Sequence, residues 1–156
     1  MATREAVVER GAYNFDKDLQ SSYEVEMEFK SIIESRKDVH KVTKNDNYKY
    51  DLKVEKKDGK IYTLELKNDM LSAVTGNIGV EFESRGNPSG IARSNADWWV
   101  YKLSDGYWMI SAAKLKQLIA EEKYWGLKVG GDKDSNTKMY LFKASVLKAE
   151  MKRYGS

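Results

Sequence analysis

The sequence predicts an α/β protein built on a mixed central β-sheet flanked by helices. Three observations predict it. A long amphipathic segment lies near the N-terminus, and short alternating segments separated by Gly- and Asn-rich turns follow it. A second helical pattern returns only after an aromatic-rich middle, and helices interleaved with strands indicate a mixed sheet. The 156 residues suffice for one domain with a proper core and are too few for two comfortable ones. The reading is a single domain over residues 1–156, with residues 1–14 as a flexible arm or a first short element.

Asp16 to Arg36 has helical spacing, with Tyr23, Met27, Ile32 and Ile33 assigned to the buried side. Glu24 and Glu28 fall one turn apart on a neighbouring stripe. Val39 to Thr43 reads as a first strand, closed by the Asn45-Asp46-Asn47 turn. Tyr50 to Glu55 and Ile61 to Lys67 alternate around Asp58-Gly59, a strong hairpin signal. Ile78 to Glu83 alternates again, with Ile78, Val80 and Phe82 on one face and Glu81 and Glu83 on the other.

Residues 84–90 are the densest turn-former cluster and contain the only proline, Pro88. A short helix is expected over Ile91 to Asn95. Ala96 to Leu103 and Tyr107 to Ser111 then form an aromatic hairpin around Asp105-Gly106. Ala112 to Lys123 reads as a helix burying Leu115, Leu118 and Ile119. Residues 130–136 read as a flexible loop, Lys138 to Lys143 as a strand, and Ala144 to Tyr154 as a closing helix. The alternating aromatics Trp98, Trp99, Tyr101, Tyr107 and Trp108 are assigned to the core rather than to base stacking.

Composition removes several chemistries. The chain has no cysteine and one histidine, His40, so disulfides, thiolate sites and histidine-rich metal sites are excluded. A metal here must be hard and oxygen-bound, magnesium or manganese before zinc. No apolar run approaches the length of a membrane span, and the N-terminus has no signal-peptide pattern. The expectation is a cytoplasmic protein with no membrane partner. Net charge is +3, with residues 112–156 contributing +5 and the rest −2. A basic C-terminal third beside an acidic cluster suits nucleic acid, and a solvated lysine face is the plain alternative.

The chemistry concentrates on the first hairpin. Thr63, Glu65 and Lys67 share one strand face, opposite Leu64 and Leu66. Pairing the strands around Asp58-Gly59 brings Asp51 beside Glu65, at the end far from the turn. Two carboxylates and an ammonium then converge, which suits a divalent cation and a phosphodiester.

Asp51 followed by Glu65-Leu66-Lys67 resembles the PD-(D/E)xK nuclease superfamily, the restriction-endonuclease-like fold, over roughly residues 17 to 111. Tyr50 departs from the pattern, standing where the name-giving proline would be. The resemblance implies a Mg²⁺-dependent nuclease hydrolysing DNA, branched or structured DNA included, with Mn²⁺ as a substitute metal. Asp51 and Glu65 become ligands, the Leu66 carbonyl a third, and Lys67 orients or deprotonates the attacking water or screens developing charge. A helix acid often joins such sites, which makes Glu28 the preferred candidate and Glu24 the second. Glu81 and Glu83 on the following strand are further candidates, Glu83 as a ligand.

Arg85, Ser89, Arg93 and Lys53 are the expected DNA contacts, helped by backbone amides of the glycine-rich loop. Ser94, Asn95 and Asp97 either line the site entrance or serve as turn chemistry. The compact size resembles stand-alone nucleases of phages and mobile elements, whose setting would be the host cytoplasm. Cutting both strands of a duplex would call for a homodimer, because one domain carries one site. Two other readings stand beside this one: an inactive nucleic-acid-binding protein on the same scaffold, and a virus-encoded inhibitor that binds a host protein.

Overall fold

A computed structural model of the chain describes residues 6–8, 15–45, 49–130 and 136–154, with side chains from residue 22 onward. In chain order the elements are β1 (Ala6–Val8), α1 (Phe15–Glu34), β2 (Val39–Lys44), β3 (Leu52–Lys56) and β4 (Ile61–Asn68). Then come α2 (Ser72–Thr75), β5 (Asn77–Ser84), the two-residue β6 (Asn87–Pro88), a 3₁₀ turn at Gly90–Ala92, and β7 (Trp98–Leu103). The chain continues through β8 (Gly106–Ser111), α3 (Ala112–Ala120), β9 (Gly126–Gly130), β10 (Thr137–Lys143), α4 (Ala144–Lys148) and β11 (Lys152–Tyr154). No helix among the described residues is long and apolar enough to cross a membrane.

The α/β class and the mixed sheet hold. Six strands run in the order β11-β8-β7-β4-β3-β2, antiparallel except where β4 and β7 lie parallel. The expected flanking by helices is corrected on one face. There a second sheet, ordered β1-β9-β10-β5-β6, packs against the first. β5 leaves the first sheet because Ile78 and Val80 are buried from a long antiparallel pairing with β10, Leu141↔Gly79 and Phe142↔Ile78 among its pairs.

Helix α1 covers the other face. Its buried residues are Val25, Phe29 and Ile33, spaced by four, against Leu52, Val54, Leu64, Leu66 and Val100 of the sheet. Tyr23, expected in the stripe, is exposed. The helix is therefore rolled relative to the sequence reading, and this roll decides which glutamate reaches the site.

The first hairpin forms as its turn signal predicts. Gly59 takes φ +89° and donates its N–H to the Lys56 carbonyl, while the Lys60 N–H bonds Asp58 Oδ1 at 2.9 Å. The register sets Leu52 opposite Leu64 and Val54 opposite Tyr62. Alternation then divides β7 between two cores. Trp99, Tyr101 and Leu103 pack between the sheets, and Val100 packs under α1. The assignment of the hairpin aromatics to the core holds for Trp99, Tyr101 and Tyr107, whereas Trp98 is partly exposed.

The closing helix is shorter than expected. It stops at Lys148, and Lys152 to Tyr154 pair with β8 instead. The Tyr154 ring meets Phe29 edge-on at 5.9 Å and its hydroxyl accepts from Arg36. These tertiary contacts outweigh local helical preference. The expected 91–95 helix is a single 3₁₀ turn, and α3 ends at Ala120. Of the arm at residues 1–14, Ala6–Val8 form a strand parallel to β9. Most of the expected 130–136 loop, and residues 46–48 of the first turn, lie outside the described residues.

Gly90 fixes the loop that crosses β5. It adopts φ +52°, and a Cβ there would stand 2.2 Å from the Glu81 carbonyl oxygen. Gly90→Ala should therefore cost about 2 kcal/mol or more, from the left-handed backbone and the clash together. An unchanged urea midpoint would show that the loop is free to shift.

Candidate functional site

The site forms where β3 begins and β4 runs on past it. The Asp51 N–H donates to the Leu64 carbonyl, extending the β3–β4 ladder by one step. Beyond that point the Leu66 N–H is met by a side chain, donating to Asp51 Oδ2 at 2.7 Å. The N–H and C=O of one strand residue project to the same side. The Leu66 carbonyl therefore points toward the edge that the Asp51 carboxylate occupies.

Glu65 and Lys67 stand on the neighbouring face of β4, two residues apart. Lys67 Nζ lies 3.5 Å from Glu65 Oε2 and 5.5 Å from the centre of the Trp99 ring. Ser94 Oγ reaches Glu65 Oε1 at 3.5 Å, so the loop seated by Gly90 delivers a donor to this carboxylate. The Glu65 side chain is only 14% exposed. Burial pushes its carboxyl up to about 7, with Asp51 adding to the rise while Lys67 and Ser94 oppose it. Burial by itself would lower the Lys67 ammonium, but Glu65, Glu81 and Asp51 outweigh it and hold this lysine above its ordinary value.

The helix acid at the site is Glu26. Residues 26 and 28 lie about 200° apart around a helix axis. With Val25 and Phe29 facing the sheet, they occupy opposite flanks of α1. Glu26 stands 3.5 Å from Lys44 Nζ and close enough to Asp51 for the two carboxyls to act on each other. Burial first, and Asp51 second, push Glu26 up to about 7.

Glu28 instead accepts from the Tyr107 hydroxyl and from Lys102, whose Nζ is 3.4 Å away. Those donors hold it below the usual carboxylate range. It belongs to a separate surface cluster, and Glu24 lies beside it in the same shallow groove. The signal that would have found Glu26 is the Val25-Phe29-Ile33 spacing.

The following strand divides similarly. Glu81 is close enough to act on Lys67, whereas Glu83 ion-pairs with Lys138 at 2.9 Å. Ser89 is not a surface donor: its N–H bonds the Phe82 carbonyl and its Oγ is enclosed. Arg85 and Arg93 are exposed, and Arg93 adjoins Ser94 in sequence. Lys53 lies two residues from Asp51 on the same strand face, in register with Thr63. Asp97 clamps β4 to β7, accepting from the Thr63 N–H at 2.9 Å.

Three of the described C-terminal lysines are ion-paired. Lys114 pairs with Glu150, Lys138 with Glu83, and Lys148 with Asp105. This matches the solvated-face alternative better than a nucleic-acid stripe.

Among the described residues, no group of three or more His, Asp or Glu side chains is placed to hold a metal ion. The donor set nonetheless fits a hard cation. Three carboxyls, Glu26, Asp51 and Glu65, face only two ammoniums, Lys44 and Lys67. Burial is the first cause of both raised carboxyls, and Asp51 adds to each. Magnesium keeps several waters, so Asp51, Glu65 and the Leu66 carbonyl suffice as protein ligands. Comparison of the chain with family models, with curated proteins and with solved structures finds no match.

The raised carboxyls predict a pH effect. Between the ordinary value of 4.5 and about 7, folded Glu26 and Glu65 keep protons that the unfolded chain has lost. Their contribution to stability therefore falls as pH rises through that window, and the full cost is present above it. Glu28, Asp38 and Asp105 are shifted down and act oppositely at lower pH. In EDTA, Glu26→Gln and Glu65→Gln should each gain stability relative to wild type as pH goes from about 5 to about 8. Parallel wild-type and variant profiles would place neither carboxyl in a crowded site.

Proposed function

We propose that the chain is a metal-dependent nuclease hydrolysing phosphodiester bonds in DNA. The observation that carries this reading is the convergence of Asp51, Glu65 and Lys67 at the end of one hairpin. The two carboxylates lie on adjacent strands, and the lysine is kept cationic between them. The order of helix, hairpin and acid-x-Lys strand supports the resemblance to the PD-(D/E)xK superfamily.

Asp51, Glu65 and the Leu66 carbonyl would hold Mg²⁺ or Mn²⁺, with Glu26 steadying Asp51 from the helix. The cation, when bound, supplies Lewis acidity toward a phosphoryl oxygen and makes bound water more acidic. The chain's own residues do the rest. Lys67, as a charged ammonium, donates to a non-bridging phosphate oxygen or to the attacking water and stabilises the charge that develops. Its raised pKa makes it an electrostatic partner rather than a base at neutral pH. Glu26 stands on the helix side of Asp51, where it would help position that carboxylate. Ser94 fixes Glu65 from the loop side. Lys53, Arg85 and Arg93 are the cations best placed to follow the backbone outward from this point.

The test is a cleavage panel in Mg²⁺ or Mn²⁺ over duplex, single-stranded, flap and four-way-junction DNA. Asp51→Asn and Lys67→Ala should each lose about 100-fold or more in rate while still binding DNA. Lys67→Ala cutting at the wild-type rate would make Lys67 an ordinary strand lysine and remove the reading. Arg93→Gln should flatten the dependence of log affinity on log salt by about 0.9 if it meets a phosphate, with the saturating rate nearly unchanged. DNA affinity that persists in EDTA with no cleavage under any metal would favour a binding protein without turnover.

A further inference from the structure

A cleft of about 240 Å³ opens beside the carboxylate cluster, between β4 and the β5–β10 pair. It shares Lys67 with that cluster, so whatever fills it lies next to the candidate phosphate position. Clefts that take drug-sized ligands run to roughly 300–1,000 Å³. This one suits a single ring system rather than a whole nucleotide.

Its lining points to an uncharged polar ring. Lys67 and Lys128 stand with Asp69 and Glu81 in the lining, so the cleft itself carries no excess of positive side chains. Leu71, Met139 and Leu141 supply apolar walls, and Asn68 and Asn77 supply amides. Gly79 lets Met139 pack directly on the backbone of the wall: a Cβ there would stand 2.6 Å from the Met139 sulfur. The Tyr101 hydroxyl closes the floor, donating to the Gly79 carbonyl at 3.2 Å.

An apolar lip faces water beside the cleft; of its three side chains Leu71 lines the cleft, and Met70 lines the adjoining groove of Glu24 and Glu28. Met70, Leu71 and Val74 are 48%, 67% and 84% exposed within five residues. Apolar side chains presented this way to a duplex can wedge between base steps.

We propose that this cleft receives one unpaired nucleobase, with the Met70-Leu71-Val74 lip holding it out of the stack beside the scissile phosphate. The inference deepens the nuclease reading and rests on it for the position of the phosphate. It assigns the substrate class as DNA with unpaired nucleotides, because opening a paired step costs unstacking and unpairing energy that a loop or gap has already lost.

The test uses the full chain and two DNA probes, a duplex with a three-base bubble carrying 2-aminopurine at its centre and the same duplex fully paired. Binding is followed by 2-aminopurine emission in Ca²⁺, and cleavage is measured in Mg²⁺. Emission from the bubble should change on binding, and the bubble should be cut about tenfold or more faster than the paired probe.

Leu71→Trp fills the cleft mouth from an exposed position, and the triple change Met70→Ser, Leu71→Ser, Val74→Ser removes the lip. Each should lose the emission change and the bubble preference together, with DNA affinity within about threefold of wild type, since phosphate contacts carry most of the affinity. Wild-type emission and preference in both variants would overturn the cleft assignment while leaving the nuclease reading intact. Absence of cleavage with any metal would overturn the nuclease reading. The emission change and its loss in Leu71→Trp would then still identify a base site. Inorganic phosphate or nucleoside monophosphate protecting the cleft, with no response from bubble DNA, would make it an anion site and overturn the proposal.

Discussion

The Leu66 N–H has no strand to bond. β3 begins at Leu52, and its ladder reaches one residue further, to the Asp51 N–H. A buried backbone donor must find a partner, and here the partner is the Asp51 carboxylate at 2.7 Å. That one bond fixes the carboxylate in the plane of the sheet, open to both faces. From one side α1 can reach it with Glu26, and from the other Glu65 and Lys67 flank it on the face toward the second sheet. A continuous β3 would have met Leu66 with backbone and left no place for the cluster.

Burial on both sides shifts the protonation of this cluster. Solvated carboxyls at these positions would keep ordinary pKa values. Enclosed by α1 below and the β5 loop above, Glu26 and Glu65 are pushed up to about 7 while Lys67 stays charged. Shifted groups cluster at functional sites, and structural ion-pair networks shift them too. Glu28 shows the contrast. It sits on the same helix among donors, its carboxyl is lowered, and it forms an ordinary bonded surface cluster with Tyr107 and Lys102.

The hairpin was legible because its signals are local. Asp58-Gly59 fixes the turn, alternation fixes the faces, and together they place Asp51 against Glu65 without tertiary information. The helix acid was not legible to the same degree. Choosing Tyr23 and Met27 as buried residues instead of Val25 and Phe29 rolls α1 enough to exchange Glu26 for Glu28. A helix with apolar residues on several stripes leaves its phase to the sheet it lands on. The second sheet was hidden for a related reason. β9 is a five-residue strand bounded by glycines and exists through its partners; at the edge of the first sheet, β11 likewise is three residues in a segment of helical composition. The basic C-terminal third likewise looked like a patch in one dimension, and Glu83, Asp105 and Glu150 partner three of its lysines in three.

Anomalous diffraction from a crystal soaked in manganese is the most direct test of the proposed site at Asp51, Glu65 and the Leu66 carbonyl. A single strong peak is expected within about 2.0–2.6 Å of oxygens from both carboxylates, the range for hard divalent cations. Asp51→Asn should abolish the peak. Manganese bound elsewhere, or scattered over the surface carboxylates with Asp51 and Glu65 untouched, would contradict the proposed site.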